Sequence, residues 1–112
     1  MPKITMPKGS LAMLILRMLR SGPLHGYAIA QRIRQLSGDV LEAEEGSLYP
    51  ALHRMEERGL IAAEWGITEL NRKAKFYRLT TAGKKQLRAS QAYWSRFADA
   101  VGKVLDTEPR PT

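Results

Sequence analysis

Within a short span the chain places Ser47, Tyr49, Pro50, His53 and Arg54. A guanidinium, hydroxyls, an imidazole and two rings so close together suit recognition of a hydrogen-bonding polyanion. Arg54 offers paired donors to guanine O6 and N7, worth about 1–3 kcal/mol of discrimination. Ser47 and a helix N-terminus beside it can hold a phosphate. Pro50 and the Tyr49 ring can pack on a thymine methyl or a sugar. A second group, Arg72, Lys73 and Lys75, is wholly basic. It suits a phosphate backbone or a narrow minor groove. Each group also has a plainer reading. Tyr49 would be a half-buried packing residue, Arg54 would pair in solvent with Glu57 or with neighbours of Arg58, and the basic segment would be a charged hairpin that avoids edge aggregation.

Bond-making chemistry finds less support. The chain has no Cys and 2 His, which excludes disulfides, thiolate metal sites and cysteine catalysis. His53 and Glu57 stand four apart, a spacing that permits shared metal ligation, but two ligands without a third do not make a site. His25 reads as a helix-start residue touching phosphate or solvent. No Ser/His/Asp set, paired carboxylates or glycine-rich phosphate loop stands out. The expectation is a protein that is not an enzyme and holds no cofactor and no metal.

The charge distribution agrees. The chain of 112 residues carries 18 Lys+Arg against 11 Asp+Glu, a net charge of +7. Residues 1–38 hold six bases and no acid, residues 39–69 eight acids and two bases, and residues 70–88 seven bases and no acid. Two basic blocks flanking an acidic middle favour one electropositive surface, with nucleic acid ahead of membrane as its partner. The length suits one compact domain. No apolar run is long enough to span a bilayer, and the N-terminus lacks a secretory apolar segment, so a cytoplasmic protein is expected.

The elements that position these residues follow from periodicity. Residues 1–8 read as a loose arm. Ser10 is a plausible N-cap for a helix with Leu11, Leu14, Ile15, Met18 and Leu19 on one stripe, ended by Ser21-Gly22-Pro23. His25-Gly26-Tyr27 opens a second helix, with Ile29, Ile33 and Leu36 inward and Ser37-Gly38 as the stop. Residues 39–46 read as a loop. Ser47 begins a third helix with Leu48, Leu52 and Met55 inward and Gly59 as terminator. Pro50 then falls in the first turn, where its missing N–H costs little. Residues 60–65 and 75–80 read as antiparallel strands around a long loop, 66–74. Thr80 or Thr81 caps a last helix running to about Leu105, followed by a frayed tail, 108–112. Three helices and a two-stranded ribbon make a winged helix-turn-helix. In that class the third helix reads base edges in the major groove and the hairpin forms the wing.

Along the last helix Leu87, Ser90, Trp94, Phe97, Val101 and Val104 alternate in steps of three and four. This seam suits a helix partner. Tyr93, Ala100 and Leu105 widen it. It predicts homodimerisation, with folding back on the first helix as the alternative. Trp94 at mid-seam would pack, or accept a flat apolar ligand at a two-fold interface.

Several stretches together look familiar: Gly26-Tyr27 with Ile29-Ala30, Gly46-Ser47-Leu48-Tyr49-Pro50-Ala51-Leu52-His53-Arg54-Met55-Glu56, Glu64-Trp65-Gly66, Asn71 through Thr80, and Ala82-Gly83. In this order and spacing the chain resembles the PadR-like transcriptional regulators from about residue 9 to 105. It looks most like the short form with a single C-terminal helix, sometimes labelled acidobacterial-type. The resemblance implies a homodimeric bacterial repressor that binds an inverted-repeat operator, in a family of which several members are released by phenolic or drug-like ligands. It implies that Tyr49, Pro50 and their exposed neighbours sit at the operator and that Arg72, Lys73 and Lys75 lie in the wing. It also implies that Trp94, followed by Ser95-Arg96, stacks on planar ligands. Leu70 departs from the pattern, standing where many relatives carry a polar residue.

The full expectation is a mainly α (α+β) protein, with residues 1–80 as the winged helix-turn-helix and 81–112 as a dimerisation helix and tail. Lys8, His25, Tyr27, Ser47, Tyr49, Pro50, His53, Arg54, Arg72, Lys73 and Lys75 would meet a double-stranded DNA operator. Leu11, Leu87, Trp94, Phe97, Val101 and Val104 would form the homodimer, and Trp94 with Phe97 would hold a small aromatic effector. A winged-helix module that meets an acidic protein is the competing class; retention on heparin with no gain from any duplex would favour it.

Overall fold

The computed structural model describes Ile4, Met6, Pro7 and Gly9–Thr107. Lys8, part of the arm 1–8 and the tail 108–112 lie outside the described residues. The elements are α1 (Ser10–Leu19), β1 (Leu24–His25), α2 (Gly26–Leu36), α3 (Glu45–Glu57), β2 (Ile61–Ile67), β3 (Lys73–Leu79) and α4 (Thr81–Asp106).

The periodic apolar residues of the first three helices converge. Ile15 and Leu16 of α1, Ile29 of α2, and Leu48 and Leu52 of α3 are fully buried together with Ile61 of the hairpin. Each such side chain contributes about 1.5–3 kcal/mol by leaving water. Leu36 does not join them. It is 74% exposed, because the last turn of α2 runs past the edge of the core that ends at Ile33.

Two helix starts differ from the sequence expectation. Gly9, at φ 85, is the N-cap of α1. Ser10 is already helical, and its hydroxyl donates to the Pro7 carbonyl at 2.6 Å. Helix α3 begins at Glu45, with Glu44 as the N-cap in extended conformation and no side-chain cap. Ser47 is therefore inside the first turn. Pro50 lies beyond that turn, where its missing N–H leaves the Gly46 carbonyl without the usual helical donor. His25 does cap α2: the Ala28 N–H donates to its Nδ1 at 3.3 Å.

Strands β2 and β3 pair antiparallel from Ile61↔Leu79 to Ile67↔Lys73. The connection shrinks to residues 68–72, shorter than the 66–74 loop expected. Gly66 is a strand residue whose missing side chain leaves room for Phe76; a Cβ there would stand 2.8 Å from the Phe76 ring. The short β1 adds to the other edge of β3, pairing Leu24↔Tyr77 and His25↔Phe76, so the sheet has three strands in the order β1-β3-β2. A two-residue strand has no period by which a sequence could announce it.

Thr80 starts α4. Its Oγ1 accepts from the Gly83 N–H at 3.0 Å and donates to the Gly59 carbonyl at 2.6 Å. Gly83 packs so tightly on the Leu60 carbonyl that no Cβ fits between them. Leu87 is 4% exposed within its own chain. The first two turns of α4 thus belong to the core, and packing does not break between residues 80 and 81. Leu87, placed above in the dimer seam, is correspondingly unavailable to a partner. Beyond it α4 projects outward; its 26 residues span about 39 Å.

Candidate nucleic-acid interface

One side of α3 is held by the core through Leu48, Ala51, Leu52 and Met55. The opposite side carries Ser47, Tyr49, Pro50, His53 and Arg54, all exposed. The structure thus brings these five sequence-nominated residues onto one accessible surface. Close polar contacts decide which of its groups are engaged within the chain. His53 Nε2 lies 3.1 Å from Glu57 Oε1. Glu57 therefore engages His53, not Arg54, and Arg54 forms no ion pair with any described residue. Its guanidinium is available for an external acceptor.

Tyr49 is shared between surface and packing. It is about half exposed, and its ring lies against Gly26, where an added Cβ would stand 2.9 Å from the ring carbon Cε1. The first turn of α2 thus positions the ring that α3 presents. The phosphate role expected at the α3 N-terminus meets an obstacle. Glu44 and Glu45, both exposed, occupy that end. They complement the helix dipole and repel a phosphate there.

His25 has a structural task. Besides capping α2, its ring meets Phe76 edge-on at 5.3 Å and stacks at 6.5 Å from Tyr27, which is exposed.

The hairpin projects beside α3. Its tip is stiffened by the Thr68 N–H donating to the Arg72 carbonyl at 2.8 Å and the Arg72 N–H donating to Thr68 Oγ1 at 3.1 Å. Arg72 and Lys73 are exposed there. Lys75 is different: its Nζ lies 3.3 Å from Glu56 Oε1 on α3 and 5.8 Å from the Tyr77 ring centre. Burial pushes the Tyr77 phenol above its ordinary pKa, and the neighbouring Lys75 charge partly offsets this. Lys73 Nζ stands 5.2 Å from the Trp65 ring centre. Trp65 was absent from the sequence-nominated set. It lies where the hairpin projects beyond the core and is 65% exposed.

Along α4, Tyr93, Trp94, Phe97, Val101, Val104 and Leu105 are exposed large hydrophobics, whereas Leu11 of α1 is half-buried against the core. A groove of about 510 Å³ runs between the start of α1 and the middle of α4, with Met13, Tyr93, Trp94 and Phe97 among its lining residues. The Trp94 and Phe97 ring centres are 6.2 Å apart.

Comparison with known proteins gives the family of this chain. The sequence model of the Transcriptional regulator PadR-like family matches residues 15–89. The chain belongs to the PadR-like family of transcriptional regulators. Members of that family are DNA-binding regulators rather than enzymes. Among solved structures, a PadR-family transcriptional regulator from Eggerthella lenta superposes with a TM-score of 0.76 at 37% identity, covering 90% of this chain and 86% of that one. A transcriptional regulator from Clostridium thermocellum gives 0.78 at 28% identity, covering 86% and 93%. The negative transcriptional regulator PadR of Bacillus subtilis is 33% identical over 73 residues, which is 65% of this chain and 40% of that protein's length. This PadR-family chain thus spans less than half of that relative. Among its described residues no helix is long and apolar enough to cross a membrane.

Proposed function

We propose that this PadR-family protein works in the cytoplasm as a homodimeric, sequence-specific repressor. Residues 1–80 carry the reading surface, and 81–112 supply the pairing helix and tail. The observation that carries the reading is the exposed polar side of α3, on which Arg54 has no ion-pair partner among the described residues, beside a stiff basic hairpin. In a symmetric dimer two α3 helices meet successive major grooves about 34 Å apart, so the operator is a pseudo-palindrome. Ser47, Tyr49, Pro50, His53 and Arg54 face the bases and sugars, while Arg72 and Lys73 follow phosphates. Lys8 and Tyr27 lend further contacts, and His25 acts by holding the start of α2.

The dimer reading is supported by the row of exposed apolar side chains on α4, which a monomer would leave in water. The groove at Trp94 and Phe97 fits a planar aromatic effector, whose binding would shift the two α4 helices and so the spacing of the readers. Repression as the sign of regulation is supported by the name of the Bacillus subtilis relative.

Titration of fluorescent duplexes tests the reading. A duplex from the region upstream of the protein's own gene should bind more tightly than a shuffled one. The salt dependence of log affinity should have a slope of about −5 to −7. Equal binding to both duplexes would overturn specific regulation.

A further inference from the structure

We propose that Trp65 is a further operator contact, its indole lying on the sugar–phosphate backbone and holding Lys73 against a phosphate. The proposal rests on the reading that α3 occupies a major groove.

The face on which Trp65 sits follows from strand alternation. Ile61, Ala63, Trp65 and Ile67 share one side of β2, and their cross-strand partners Leu79, Tyr77, Lys75 and Lys73 share the same side of β3. At one end this side is core: Ile61 and Tyr77 are buried. At the other end the sheet outruns the core, and Trp65 is 65% exposed. On the same side Lys75 reaches Glu56 of α3. The exposed half of this side therefore opens into the angle between α3 and the hairpin. A duplex with α3 in its groove brings a backbone into that angle.

The chemistry of the surface fits such a backbone. An indole offers a flat apolar face to deoxyribose and an N–H to a phosphate oxygen. The Lys73 ammonium over its ring is paired with no acid among the described residues. Arg72, next to it, is likewise without an acidic partner there. Glu64 is on the opposite side of β2 by alternation, and Glu69 lies in the turn. An apolar plate bearing free cations matches alternating sugar and phosphate better than it matches a purely apolar or a purely acidic protein surface.

Fluorotryptophan labelling tests this in the intact protein. The chain has 2 Trp, and Trp65→Phe assigns their fluorine NMR signals. The upstream duplex is added while its binding is followed by anisotropy. The Trp65 signal should shift and lose its solvent isotope effect as the duplex binds. Trp65→Ala should weaken all duplexes alike, and Lys73→Ala in that background should add less than it does alone. A saturated duplex complex in which Trp65 stays solvent-exposed would overturn the proposal. So would a Trp65 signal that moves with protein concentration in the absence of DNA, which would place a second protein copy on this face. Absence of any anisotropy change would instead remove the parent reading of α3, and this contact with it.

Discussion

Lys75 Nζ and Glu56 Oε1, 3.3 Å apart, tie the hairpin to α3. Both side chains are about one-third exposed, so the pair adds at most about 1 kcal/mol to stability. Its larger consequence is geometric, since it links the two elements that the proposed function brings to one duplex. Lys75 is accordingly expected to act by positioning the hairpin rather than by touching a phosphate. Lys75→Met should lower operator affinity while leaving the salt slope nearly unchanged. Exchanging the charges, with Glu56→Lys and Lys75→Glu together, should recover part of the loss. Salt titrations of the three proteins check this; a slope that falls by about one unit for Lys75→Met would make Lys75 a phosphate contact.

Arg54 and Lys73 should separate base reading from backbone attraction. Arg54→Ala should cost about 1–3 kcal/mol on the operator and flatten preference at one base position. Lys73→Ala should weaken every sequence alike and reduce the salt slope by about one unit. Competition binding on single-base operator variants measures both effects.

Two glycines predict opposite divisions between folding and function. Gly83→Ala drives a methyl into the Leu60 carbonyl, which is backbone and cannot swing aside. It should destabilise the protein by several kcal/mol, within the upper range for single substitutions. Gly26→Ala meets the Tyr49 ring edge, which can rotate away. It should change melting temperature little and operator affinity more. Thermal melts paired with binding isotherms test the contrast.

The α4 seam predicts a dimer that one charge can disrupt. Val104 is 76% exposed within the chain. Val104→Asp would bury a carboxylate in a paired seam at a cost of several kcal/mol, yet should leave the melting of the winged domain nearly unchanged. Light scattering at micromolar concentration should show a dimer for the parent and a monomer for the variant. A monomeric parent would remove the dimer.

The fold was readable wherever side-chain period meets a single core. Leu48, Leu52 and Met55 at steps of four and three placed α3 and its buried side, and with it the outward Ser47, Pro50 and Arg54. Thr80 was readable as a cap because its side chain does the capping. Ser10 and Ser47 misled because the caps are Gly9 and Glu44, which supply backbone conformation and no side-chain bond. Leu36 misled because a stripe does not reveal where the core beneath it stops. Gly66 looked like loop punctuation but makes way for Phe76. The partners of Glu56 and Trp65 were invisible because they depend on where the hairpin lies against α3, a tertiary relationship with no local signature.

The central claim is that the polar side of α3 lies against bases. Hydroxyl-radical and base-methylation footprinting on the upstream duplex tests it most directly, with Arg54→Ala beside the parent. The account predicts two protected major-groove segments one helical turn apart, with the methylation protection of one guanine per half-site lost in the variant. Uniform protection that ignores sequence, or a footprint unchanged by Arg54→Ala, would contradict it.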